Sequence, residues 1–98
     1  MALGIYDQGD LVRIDCDFAT TAGTAADPTT VTLMVRDPSG TETTYTYALG
    51  TVTRDTAGSY YKSVTVNTAG LWYYRWISTG TAQGAEERAF HVRSSEIV

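Results

Sequence analysis

Few residues of this 98-residue chain could support covalent catalysis. It has one histidine, His91, and one cysteine, Cys16, and it contains no Gly-x-Ser-x-Gly turn. A catalytic nucleophile needs a base within hydrogen-bonding distance, whereas these two residues lie in segments predicted as different strands. The sequence therefore predicts a protein that is not an enzyme, with His91 facing solvent on the last strand.

Four aspartates near the start, Asp7, Asp10, Asp15 and Asp17, could supply the oxygen ligands that calcium prefers. However, Asp15 and Asp17 alternate on the outer face of a predicted strand, and the run lacks an Asp-x-Asp-x-Asp-Gly loop. Charged residues on an exposed strand discourage pairing with other chains. We therefore expect a solvated acidic face, with no bound metal and no cofactor.

Three aromatic residues, Trp72, Tyr74 and Trp76, could form a stacking platform for sugars. They alternate with Tyr73 and other residues, which instead predicts the inner face of a central strand, where aromatic side chains bury a large area. Cys16 has the same inward position on its own strand. It is interpreted as a small buried apolar residue, because a reactive thiol needs an exposed and electropositive setting.

Alternation of apolar and polar residues recurs along the chain with the period of two that is typical of half-buried strands, and no segment has helical periodicity. The sequence Asp37-Pro38-Ser39-Gly40 predicts a β-turn between two paired strands. The predicted strands cover residues 11–18, 30–37, 41–48 and 51–54, the residues after Gly58, the residues after Gly70, and residues 86–93.

A phrase of Thr-Ala-Gly, one free residue, an aromatic residue and Tyr occurs twice, twelve residues apart, at residues 56–61 and 68–73. Each copy predicts a tight corner followed by a strand whose second residue is a core aromatic, Tyr60 in the first copy and Trp72 in the second. Glycine gives the backbone freedom that a corner needs. We expect Asp55 and Asn67 to hold the corners by hydrogen bonds to nearby backbone amides.

These patterns predict an all-β protein, an antiparallel Ig-like β-sandwich of about seven strands, as a single domain over residues 1–98. Cys16 has no partner cysteine, so no disulfide is expected within the chain. A small closed barrel is the alternative, because alternation does not distinguish the two. The predicted core consists of Ile14, Phe18, Leu33, Val35, Tyr60, Val64, Trp72, Tyr74, Trp76 and Phe90.

Several large apolar residues fall on predicted outer faces or near the chain ends. Monomeric proteins seldom expose large contiguous apolar patches, so a cluster of such residues would indicate a protein interface. The interface candidates are Met34, Tyr61, Tyr73, Ile77 and Ile97.

Charge and hydropathy exclude two classes of partner. The formal net charge is −4, and the basic residues are scattered singly, whereas a protein that binds a phosphate backbone clusters them. No apolar run approaches the roughly 20 residues that span a bilayer, and the first residues do not have the pattern of a signal peptide. We therefore expect no nucleic acid or membrane partner, and synthesis in the cytoplasm.

The phrase Ala57-Gly58-Ser59-Tyr60 resembles the tyrosine corner of immunoglobulin-type domains, although Lys62 stands where those domains have a cysteine. A fuller resemblance covers nearly the whole chain. The stretches YDQGDLVRI, DPTTVTLMVRDPSG, RDTAGSYYKSVTV and AGLWYYRWISTGTAQGAEERAFHV, in that order, are similar to small Ig-like virion proteins of tailed bacteriophages and prophages.

That resemblance implies a non-enzymatic virion structural protein, made in the host cytoplasm. It implies in particular a capsid accessory or decoration protein that binds the head surface, with a head–tail junction or tail component as the alternative. The implied partners are the major capsid protein or head–tail proteins, together with self-association. A second alternative is an Ig-like module that binds host surface glycans, for which an exposed aromatic cleft near residues 21–30 and 79–85 is expected.

Overall fold

The computed structural model describes residues 5–94 and contains eight β-strands in that range. They form a five-stranded sheet in the order β1-β8-β7-β3-β4 and a three-stranded sheet in the order β2-β6-β5. No helix in the described range has the length and apolar character that spanning a bilayer would require. The strands are β1 (Ile5–Asp7), β2 (Asp10–Asp17), β3 (Thr30–Arg36), β4 (Glu42–Thr46), β5 (Thr53–Thr56), β6 (Ser59–Val66), β7 (Gly70–Thr79) and β8 (Gly84–Arg93).

The predicted all-β sandwich is confirmed, and each predicted strand segment corresponds to one of β2 to β8. The rows β2-β6-β5 and β4-β3-β7-β8 follow the B-E-D and C′-C-F-G strand orders of an immunoglobulin-type sandwich. Cys16 is a free thiol, as expected for a chain with one cysteine.

The sequence prediction missed β1, which pairs in parallel with β8 at His91–Arg93. Three residues are too few to show a period.

The core lies between the two sheets and has the predicted composition. Nine of the ten predicted core residues are buried, and the tenth, Val64, is partly buried against the same cluster. Val52, Ala82 and Ser78 are also buried, although they were not predicted as core residues. Ser78 is accommodated because its hydroxyl donates a hydrogen bond to the carbonyl oxygen of Ala82, at 2.7 Å.

The two Thr-Ala-Gly corners do precede strands, and both of their glycines have positive φ, 77° at Gly58 and 133° at Gly70. A side chain at either position would collide with a neighbouring segment. A Cβ at Gly58 would overlap the carbonyl oxygen of Phe18, and one at Gly70 would lie 2.8 Å from the Cβ of Pro38. Glycine is therefore required at both positions for two reasons: it tolerates the positive φ, and its lack of a Cβ leaves room for the neighbouring segment.

The first corner is held by Asp27, from the loop between β2 and β3, and the expectation that Asp55 holds it is wrong. The Asp27 Oδ1 atom accepts hydrogen bonds from the backbone amide of Gly58 at 2.9 Å, Arg54 Nε at 3.0 Å and the Tyr60 hydroxyl at 3.1 Å. Asp55 instead pairs with Arg13. The hydrogen bond from Arg54, together with those from Gly58 and Tyr60, lowers the pKa of Asp27 to about 2.

The second corner is held by Trp72, whose Nε1 donates to the carbonyl oxygen of Thr68 at 2.9 Å. The side chain of Asn67 accepts a hydrogen bond from the Thr68 hydroxyl, which corrects its predicted contact with a backbone amide. A tyrosine corner ties the aromatic residue at the start of strand F to backbone a few residues upstream. Because β7 occupies the place of strand F, the counterpart of that corner is Trp72. The first copy, with Tyr60, lies on β6.

The three donors around Asp27 predict how stability depends on pH. A carboxylate whose pKa is depressed in the folded state stabilises the fold above its unfolded pKa, and this contribution is lost as pH falls through the folded pKa. Asp27→Asn should therefore melt at a lower temperature than wild type at pH 7. The difference should shrink between about pH 4 and about pH 2, where wild-type Asp27 becomes protonated.

Thermal melts followed by circular dichroism at several pH values would measure this difference. Asp55→Asn is the control, since it breaks only an exposed ion pair with Arg13 and should change the melting temperature little. A gap between Asp27→Asn and wild type that stays constant down to pH 2 would contradict the role assigned to Asp27.

Candidate docking surface

The outward side chains of the five-stranded sheet form one continuous surface, the five-strand face. It consists of the odd-numbered residues of β1, β8 and β7 and the even-numbered residues of β3 and β4, because their neighbours in sequence point into the core. The corresponding three-strand face consists of the odd-numbered residues of β2 and β6, with Thr53 of β5. Asp55, at the bulge of β5, lies at this face through its ion pair with Arg13.

Three large apolar side chains are exposed in one region of the five-strand face. Ile5 is 64% exposed, Leu71 is 44% exposed and Tyr73 is 43% exposed. The register pairs Ile5 with His91, and His91 with Leu71, so these three lie in one row across the sheet. Tyr73 lies in the next row and pairs with Ala89, which is also exposed. Leu71 and Tyr73 are therefore neighbours on β7, with His91 between Leu71 and Ile5 and with Arg36 of β3 on the other side of Tyr73.

Two further interface candidates, Met34 and Ile77, are half-buried on the same face. The register pairs Met34 with Arg75, and Ile77 with Thr32, in the middle and at the far end of the face. A shallow cavity of about 260 Å³ lies beside Met34 and Tyr73. The structure therefore brings three of the predicted interface residues, Met34, Tyr73 and Ile77, onto one surface.

The charged side chains of the five-strand face neutralise each other. Arg93 Nη2 lies 2.6 Å from Asp7, and the Arg36–Glu42 and Arg75–Glu87 pairs are each separated by 3.5 Å. Each pair joins residues on adjacent strands. Exposed pairs of this kind add little to stability, but the three arginines and three carboxylates balance each other on this face.

Tyr61 lies on the three-strand face, on the opposite side of the sandwich from Tyr73. The Arg13 guanidinium lies over its ring, 3.8 Å from the centroid, and also lies near Asp15 and Asp55. Tyr61 is therefore half-buried beneath a cation. Tyr61 and Tyr73 hold equivalent positions in the two copies of the repeated phrase, but they cannot belong to one surface. The remaining candidate, Ile97, lies outside the described residues.

The residues considered for chemistry are dispersed. His91 is exposed on the five-strand face, as predicted. Within residues 5–94, no group of three or more histidine, cysteine, aspartate and glutamate side chains is placed to hold a metal ion. The early aspartates have protein partners instead: Asp10 accepts from the amide of Asp7, and Asp17 accepts from the Ser59 hydroxyl.

An inward polar group between the sheets was not predicted from the sequence. Glu86 and Arg88 face inward on β8 and pair with each other, and the Glu86 carboxylate lies 3.8 Å from the Cys16 thiol. Burial, followed by the nearby Glu86 charge, raises the pKa of Cys16 to about 12. Burial likewise raises the pKa of Tyr74 to about 12. Cys16 is thus buried, as expected, and held in its thiol form.

This environment predicts an inert cysteine. At pH 8, iodoacetamide should modify Cys16 in the folded protein at least about a hundredfold more slowly than in denaturant, because only the thiolate reacts. Glu86→Gln removes one cause of the raised pKa and should increase the rate. Mass spectrometry of time points would measure both rates, and equal labelling of folded and unfolded wild type would contradict the assigned environment.

Comparison with known proteins identifies no relative: no family model, no curated protein and no solved structure matches this chain.

Proposed function

We propose that this protein is a non-enzymatic structural component of a bacteriophage particle and that it works by binding protein chains through its five-strand face. The phage assignment is supported by the resemblance of four successive sequence stretches to small Ig-like virion proteins. The binding role is carried by one observation of the structure, the exposure of Leu71 and Tyr73 next to each other on β7, with exposed Ile5 in the same row as Leu71.

The physical argument for binding is the composition of this surface. Exposed single apolar residues are common, but a contiguous group on a sheet indicates an interaction site. Tyrosine is enriched at interfaces because it combines a large apolar area with a hydroxyl group and loses little conformational entropy. Tyr73 lies beside Leu71 and Ala89, without the covering cation that Tyr61 has. The five-strand face is thus the better binding surface of the two.

Within the particle, the proposed position is the head surface, where the protein acts as a capsid accessory or decoration protein. The head–tail junction or tail is the alternative position. Both assignments rest on the resemblance.

The host-glycan alternative has no specific observation in its favour. It predicted an exposed aromatic cleft near residues 21–30 and 79–85. The cavity described at that end, of about 210 Å³, is lined by Phe18 together with small and polar residues such as Ala82 and Gln83. The Phe18 ring is only 6% exposed and packs against Tyr60 and Trp76.

Binding to undecorated phage capsids tests the proposal. Wild-type protein should sediment with capsids, and Tyr73→Ser should reduce the affinity at least about tenfold, because truncation of an interface tyrosine removes a large buried contact. Tyr61→Ser is the matched control, since it makes the same change on the three-strand face, and its affinity should stay within about twofold of wild type.

Two results would count against the proposal. Failure of wild-type protein to bind capsids or head–tail intermediates, together with its absence from purified virions, would remove the virion role. Full binding by Tyr73→Ser with loss of binding by Tyr61→Ser would assign the interaction to the three-strand face instead.

A further inference from the structure

We propose that the partner that covers the five-strand face is a second copy of this chain, related to the first by a two-fold axis. This inference rests on the binding surface identified under the proposed function, but it does not depend on the particle. It names the first protein chain that the surface contacts, and other occupants are outcomes of the test described below.

Charge decides between the two sheet faces as the contact between copies. The chain has a formal net charge of −4, so two copies repel each other at long range. The three-strand face carries Arg13 against Asp15, Asp17 and Asp55, so two such faces would oppose like charges. The five-strand face has its charges paired within each copy. Two copies can therefore meet there without an uncompensated charge.

The five-strand face has large and small side chains next to each other. Outward residues of β7 include the large side chains of Leu71, Tyr73 and Ile77, whereas the adjacent strand β8 presents Ala85 and Ala89 beside them. The face therefore has a ridge of large side chains along β7 beside two small positions on β8, which are separated by Glu87. In a two-fold dimer every contact occurs twice. The large side chains of each copy can then pack over the alanines of its partner, with the two sheets about 10 Å apart.

The available area is sufficient for a reversible dimer. Strands are spaced by about 4.8 Å and rise about 3.3 Å per residue, so the five strands present roughly 560 Å² on each copy. A pair would bury about 1,100 Å² in total, which is close to the lower limit for specific interfaces. An interface of this size that contains aromatic side chains is expected to dissociate in the micromolar range.

Sedimentation velocity of the purified protein tests the inference without any other component. Between about 5 and about 500 μM, wild-type protein should change from the monomer mass to twice that mass. Leu71→Asp places an unpaired charge in the contact and should weaken association at least about tenfold. Leu11→Asp makes the same change at an exposed position of the three-strand face, and its association should stay within about twofold of wild type.

Salt provides a second readout, because the contact has no net charge. The dissociation constant should change by less than about threefold between 50 and 500 mM NaCl. A wild-type monomer at every concentration, equal weakening by Leu11→Asp, or a much larger salt effect would each overturn the inference. Dimers that do not bind capsids would preserve it while removing the proposed function. Capsid binding by a strictly monomeric protein would preserve the proposed function and remove the dimer.

Discussion

The hydrogen bond from Trp72 Nε1 to the carbonyl oxygen of Thr68 fixes the start of β7, and most of the molecule depends on that start. β7 pairs with β3 on one side and β8 on the other. Its even-numbered residues form the aromatic core, and its odd-numbered residues form the ridge of the five-strand face. Because side chains alternate with a period of two, a shift of one residue would exchange the core for the exposed surface. The Gly70 corner and the Trp72 hydrogen bond prevent that shift.

The fold was largely predictable because its main strands alternate over seven or more residues and its turns have clear signals. The core was predictable for the same reason, as Trp76 and Tyr74 show. Features that depend on contact between distant segments were not predictable. Asp27 lies in a loop without periodicity, and its three donors come from residues 27 to 33 positions away. The short strand β1 is recognisable only when β8 lies beside it.

The candidate surface was predictable in part. Outward positions on single strands were correct for Met34, Tyr73 and Ile77, because each follows from alternation within its own strand. To know which of these positions share a surface, one needs the order of the strands in each sheet, and alternation within a strand does not reveal that order. Tyr61 shows the consequence: it occupies the same place as Tyr73 in the repeated phrase, but β6 and β7 belong to different sheets. Neutralisation of the face also depends on strand order, since Asp7 and Arg93 are adjacent only through the pairing of β1 with β8.

The account depends on one strand that supplies both the core and the binding surface, and hydroxyl-radical footprinting of wild-type protein tests this directly. Along β7 of dilute protein, Leu71 and Tyr73 should be oxidised readily. Trp72, Tyr74 and Trp76 should be protected, although aromatic rings of their kind are highly reactive when exposed. Mass spectrometry of peptides that cover residues 70–79 would resolve the positions. Oxidation of Trp72 or Trp76 at the rate of Tyr73 would contradict the register of β7, and with it both the core and the five-strand face.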